Sequence, residues 1–98
     1  MKSIMQEDTS KCYLCDRNGS ADRLEEHNVF GGSNRRHSEE DGLKVYICGD
    51  RCHRNGPFSA HRNKEIAAFL HRKGQIAWMQ KYGSFEEFRK RYGRNYIE

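Results

Sequence analysis

Four cysteines fall in two close pairs, Cys12-x2-Cys15 and Cys48-x3-Cys52. Tetrahedral zinc takes thiolates readily, and a pair two or three residues apart lets one tight turn deliver two ligands. Both pairs are therefore expected to meet around one structural zinc ion, the second directly after a strand. Disulfides are the alternative use of such a set. The opening MKSIMQEDTS has no apolar run of signal-peptide type, and no stretch is long enough to span a membrane. A reducing, cytoplasmic setting is thus expected, where metal binding outweighs disulfides. Three histidines complete the reactive inventory: His27 within EEHNVFGG (residues 25–32), His53 directly after Cys52, and His61. A neutral imidazole suits a first-row divalent ion, so these three are candidate ligands for a second ion. Each taken alone has a plain structural use, His53 capping a turn and His61 starting a helix. His37 and His71 stand isolated among charges and are expected to face solvent.

The elements that must position these groups are short. With 98 residues, 35% hydrophobic against 33% charged, the chain makes one domain with a small core that calls for a staple. Residues 1–10 read as a flexible tail and 11–98 as a single zinc-stapled domain with a C-terminal helical extension. KCYLCDRNGS is a knuckle closed by an Asn18-Gly19 turn. DRLEEHNVF is a candidate strand ending at Gly31-Gly32, and SNRRHSEEDG a short helical turn closed by Gly42. LKVYIC alternates Leu43, Val45 and Ile47 with Lys44 and Tyr46, the pattern of a half-buried strand. After the turn-rich GDRCHRNGPFSAH, a helix is expected from about Arg62 to Lys81, its apolar face carried by Ile66, Leu70, Ala77 and the neighbouring Ile76, with Gly74 weakening the middle. Ser84 and Glu87 form a capping-box pair that starts a second helix, and Gly93 ends it. The order of knuckle, strand, strand, helix, helix predicts a small α+β fold.

Charge is unevenly spread. Residues 1–49 carry seven basic against nine acidic side chains, net −2, whereas residues 50–98 carry eleven against five, net +6. A basic half suits a polyanionic partner such as DNA or RNA; solvated helix faces are the plainer use of the same charges. Arg54, Arg62, Arg89, Lys90 and Arg91 are the candidate phosphate-binding residues. In FRKRYGRNY the aromatics Phe88, Tyr92 and Tyr96 alternate with basic residues. Exposed, they would stack on unpaired bases; the spacing of Phe85, Phe88 and Tyr92 instead suits packing on the preceding helix.

CYLC, EEHNVFGG, GLKVYICGDRCH and the later His61 together resemble the zinc-knuckle HNH endonucleases, in particular a compact prophage-encoded branch. The resemblance covers residues 11–62, and GSFEEFRKRYGRNYIE is similar to that branch as well. It implies a ββα-metal core holding one divalent ion (Mg²⁺, Mn²⁺, Ni²⁺ or Zn²⁺), a histidine general base on the first strand that activates water, and hydrolysis of DNA phosphodiester bonds in a phage- or prophage-encoded protein. Carried over by position, one register makes His27 a metal ligand and puts Asn28 at the general-base position, where an amide takes up no proton near neutral pH. A second register makes Glu26 the ligand and His27 the base, with Asn28 where an apolar residue belongs. His53 matches the histidine after the cysteines, and His61 the last ligand if NGPFSA holds a local insertion. The family's central asparagine should precede LKVYIC; Asp41 and Gly42 stand there, and Asn34 is the nearest asparagine on that side. The resemblance therefore implies either an endonuclease or a catalytically degenerate zinc-binding module that binds nucleic acid or a protein partner as a phage regulator.

Overall fold

A computed structural model describes residues 2–97; Met1 of the expected tail and Glu98 of the C-terminal extension lie outside the described residues. Strand β1 (Leu24–Asn28) and strand β2 (Lys44–Cys48) form a two-stranded antiparallel sheet in which His27 faces Val45 and Asn28 faces Lys44. Between them, a short 3₁₀ turn over Gly32–Asn34 leads into helix α1 (Arg35–Asp41). Gly42 closes α1 at φ 76°, a left-handed conformation that glycine adopts without a Cβ penalty. After β2, residues Gly49–Arg54 make one wide helical turn of the i to i+5 kind, with Asn55 N–H donating to Asp50 O at 2.8 Å. Helices α2 (Lys64–Lys81) and α3 (Phe85–Tyr92) complete the chain.

Local signals set the helix ends. The Asn63 side chain accepts from Glu65 N–H and Ile66 N–H, which starts α2 two residues later than the expected Arg62. Ser84 and Glu87 form the reciprocal capping box, and Gly93 ends α3. Gly74 does not interrupt α2. It is where the helix presses on the end of β1: a Cβ there would lie 2.9 Å from Phe30 Cε2 and 3.2 Å from Val29 Cγ1. The buried face of α2 carries Leu70, Gly74, Gln75 and Trp78, while Ile76, expected near that face, is exposed. Trp78, four residues from Gly74, takes the core position instead.

Two further expectations change for one reason. A two-stranded sheet leaves the outer edge of β2 unpaired, which is costly for a backbone that must also be covered. Residues 2–10, expected as a flexible tail, contain no helix or strand, yet they line that edge. Ile4 N–H donates to Gly42 O, Ser3 Oγ to Lys44 O, and Tyr46 N–H to Gln6 Oε1, while Tyr13 N–H reaches Tyr46 O. As a result β2 is not half-buried: Lys44 is 4% exposed, its ammonium held between Glu39 and Glu26 at 2.7 and 3.3 Å.

The core is Val29, Phe30, Leu43, Val45, Ile47 and Leu70, closed by an aromatic set from the C-terminal part. Phe30 meets Tyr92 and Tyr96, each at 4.9 Å between ring centroids, and Phe88 at 5.7 Å. Phe88 and Tyr92 are buried, so packing is the use these rings find; Phe85 stays on the surface. The fully buried Gln75 fixes the last segment by accepting from Tyr96 N–H at 2.6 Å and donating to Asn95 Oδ1 at 3.0 Å. No described helix is long and apolar enough to cross a membrane.

Candidate functional site

The cysteine pairs meet. Cys12 and Cys15 sit on a knuckle tightened by Asp16 N–H donating to Cys12 O, with Asp16 itself at φ 66°, a region that aspartate tolerates better than most residues. Cys48 ends β2 and Cys52 lies on the wide turn, and the four sulfurs all lie within 4.8 Å of one another. Cys15 Sγ and Cys48 Sγ are 3.6 Å apart. Zinc–sulfur bonds of ~2.3 Å in a tetrahedron place sulfurs about 3.8 Å apart, so the spacing suits a shared ion. None of the four is in a disulfide. The electrostatics agree. Burial pushes the Cys12 thiol up, but N–H groups of Cys48, Cys15 and Leu14 outweigh it and bring the pKa down to about 7. Burial, then the neighbouring sulfurs of Cys15 and Cys12, push Cys48 up to about 12, and Cys52 is raised for the same reasons. Without a cation, Cys48 and Cys52 are held in the thiol form; a divalent ion would let all four ionise. The cluster is thus able to hold a metal such as zinc.

The histidines form a second cluster alongside. His27 leaves β1 on the same face as Glu25, since side chains two apart on a strand share a face. His53 comes from the wide turn, which Asp22 holds by accepting from Asp50 N–H and Arg51 N–H at 2.9 and 2.8 Å. His61 ends the loop that follows. That loop closes on itself through Ala60 N–H to Cys52 O and His61 N–H to His53 O, so the eight-residue separation collapses to adjacency. The nearest ring nitrogens of the three histidines all lie within 4.8 Å of one another, with His27 Nδ1 and His53 Nε2 at 3.2 Å. Metal–nitrogen bonds of ~2.0–2.1 Å put tetrahedral ligand atoms about 3.3 Å apart. Glu26, the ligand of the second register, points to the other face, where it accepts from Tyr46 Oη at 2.9 Å and from Lys44. The geometry groups His27, not Glu26, with His53 and His61.

Glu25 is the residue that spacing did not single out. Its carboxylate accepts from His53 Nδ1 at 2.9 Å and pairs with Arg54. Arg54, then His53, hold it well below the usual range, at about 2, so it is an acceptor only. A Cβ on Gly49 would lie 2.8 Å from Glu25 Cδ, so glycine is what lets the carboxylate reach across the turn. The i, i+2 spacing of Glu25 and His27 was the available signal.

Beside the histidines opens a cleft of about 540 Å³, lined among others by His27, Asn28, Arg35, His53, His61 and His71. Asn28 Oδ1 is buried there without a hydrogen-bond partner. Burial, then the charges of His53, His61 and His71, lower His27 to about 4, and burial lowers His61 as well. His71 and His37, expected to face solvent, are half-buried: His71 stacks on Phe30, and His37 meets the Tyr92 ring edge-on. Amphipathic pattern alone misplaced them because the partner rings arrive from other elements. Asn34 lies outside the histidine cluster and donates to Tyr92 O at 2.8 Å.

The basic residues divide. Arg91 is committed inward, donating to Asp41 through Nε and Nη2 at 2.6 and 3.0 Å and to Glu40. Arg54 is paired with Glu25, and Arg62 donates to Asn55 O. Arg89 and Lys90 are exposed on α3, with Arg89 over the Phe85 ring. Comparison with protein-family models, curated proteins and solved structures found no match to this chain.

Proposed function

We propose that this protein is a zinc-stapled, metal-dependent endonuclease of the HNH type that hydrolyses DNA phosphodiester bonds. The observation that carries the reading is the convergence of His27, His53 and His61 at one edge of a cleft, backed by Glu25 and set beside the four-cysteine cluster. In this reading β1, β2 and the turn after them are the ββα-metal core. Cys12, Cys15, Cys48 and Cys52 hold a structural zinc ion, and the three histidines hold a second divalent ion. That second ion, when bound, polarises a phosphoryl oxygen and stabilises the charge that develops during hydrolysis. Glu25 fixes the tautomer of His53, the buried side of the cleft keeps His27 neutral and ready to ligate, and Asn28 offers an amide that orients a water or a phosphate oxygen. Exposed Arg89 and Lys90 supply sequence-independent attraction to the backbone.

Asn28 favours a second reading, in which the same scaffold has lost catalysis and acts as a nucleic-acid- or protein-binding phage regulator. Plasmid nicking across Mg²⁺, Mn²⁺, Ni²⁺ and Zn²⁺ separates the two. The endonuclease reading expects cutting that His27→Ala abolishes together with metal occupancy at the histidines, and that Asn28→His raises. If neither wild type nor Asn28→His cuts with any metal, the binding module takes its place.

A further inference from the structure

We propose that His71, on α2, is the general base of this cleft, accepting the proton of the attacking water in place of the base that Asn28 cannot supply. The inference rests on the endonuclease reading and concerns the step that reading leaves without a proton acceptor. In hydrolysis of a phosphodiester the metal-held side of the phosphate carries the developing charge, and the nucleophile arrives in line with the leaving oxygen. The base therefore stands across the cleft from the metal ligands, not among them. His71 stands outside the ligand cluster. It lines the same cleft as His27, His53, His61 and Asn28. Its described ring contacts are to Phe30 and Tyr96, not to the three clustered histidines.

The ring is also held in one orientation. It stacks on Phe30 at 5.1 Å between centroids with 11° between the planes, and it packs on Tyr96 at 4.8 Å. Tyr96 is in turn fixed by its backbone bond to the buried Gln75. A neutral imidazole keeps one ring nitrogen as an acceptor whichever tautomer it adopts. Burial lowers the His71 pKa below the ordinary histidine value, opposed by the nearby Val29 backbone and assisted by Arg94. The other charged or titratable groups along the cleft are Glu26, His27, whose own pKa feels His71, Arg35, His53 and His61. The Glu26 carboxylate accepts from Lys44 Nζ and Tyr46 Oη, so it is engaged away from His71, and the ring is available as a base at neutral pH.

In the step itself the water oxygen forms a bond to phosphorus as the bond from phosphorus to the leaving oxygen breaks. The water proton passes to His71, the leaving oxygen takes a proton from solvent, and His71 later returns its proton to solvent.

The test measures nicking rate against pH, and metal titration, for wild type, His71→Gln and the double variant His71→Gln/Asn28→His. Glutamine is a good helix former of moderate size, so α2 should persist, and a circular-dichroism melt checks it. His71→Gln is expected to lower the rate by about 10²–10⁴-fold, to remove the rise of rate with pH that a titrating base gives, and to leave metal affinity at the histidines unchanged. Asn28→His in that background should restore cutting, because it puts an imidazole in the same cleft. A His71→Gln variant that cuts like wild type with the same pH profile overturns the assignment while leaving the endonuclease reading intact. Loss of rate accompanied by loss of bound metal overturns it too, since His71 would then be supporting the ligands. Absence of cutting by both wild type and Asn28→His removes the endonuclease reading and this inference with it.

Discussion

Glu25 accepts from His53 Nδ1 at 2.9 Å, which leaves His53 Nε2 as the nitrogen that faces His27, 3.2 Å away. A carboxylate behind an imidazole fixes the ring and raises the basicity of the nitrogen in front. Glu25→Ala should therefore weaken metal binding at the three histidines by about 10–100-fold without touching the cysteine cluster. Calorimetric titration of zinc-loaded protein with Ni²⁺ or Co²⁺ reads this, and an unchanged affinity would separate Glu25 from metal binding.

The cysteine cluster is expected to be part of the folding energy. Cys12, Cys15 and Cys48 join the knuckle to β2, and the core they brace is small. Any single cysteine to serine change should leave the chain largely unfolded and reduce bound zinc below one ion per chain. Zinc-free protein with a cooperative melt would contradict the assignment.

Protons should compete poorly for His27. His27 is lowered to about 4, by burial first and by its histidine neighbours second. The folded chain therefore keeps His27 neutral well below the ordinary pKa of ~6.5. Its ligating nitrogen should stay free of a proton as pH falls through 6.5 and take one up only as pH approaches 4. The same shift has a stability sign. The unfolded chain takes up its proton near 6.5 and the folded chain only near 4, so this contribution is full above 6.5 and is lost between the two values. An NMR titration of the His27 ring, with melts at the same pH values, checks both; a His27 midpoint near 6.5 would refute the prediction.

Arg89 and Lys90 should behave differently from Arg91. Arg91 pairs with Asp41, which is 8% exposed and also accepts from Trp78 Nε1 and Tyr92 Oη at 2.9 and 2.7 Å. Arg91→Ala leaves that carboxylate short of its cation and should cost about 3 kcal/mol, seen as a lower Tm. Arg89→Ala/Lys90→Ala should leave Tm near wild type, weaken DNA binding, and reduce the salt slope by about 0.9 for each DNA phosphate that the variant no longer neutralises. An unchanged slope would move the DNA face to the side of Arg51 and Arg62.

Local chemistry was legible in the sequence because it acts over one turn. The two cysteine pairs, the Ser84–Glu87 capping box and the Gly42 and Gly93 helix ends each depend on residues a few positions apart, and each stands where the spacing placed it; β2 is a strand as its alternation predicts, although both its faces are covered. The three candidate histidine ligands were marked by their neighbours, and the fold brings them together. What no spacing carries is partnership across the chain. His71 reads as a solvent-facing histidine until Phe30 and Tyr96, 41 and 25 residues away in sequence, pack against it. Arg91 reads as a free phosphate-binding residue until Asp41 captures it, and residues 2–10 read as a tail until the bare edge of β2 pairs with them. The physical reason is the same in each case. Burial and charge pairing are settled by which surfaces the core leaves uncovered, and that is known only once the two strands and α2 have packed.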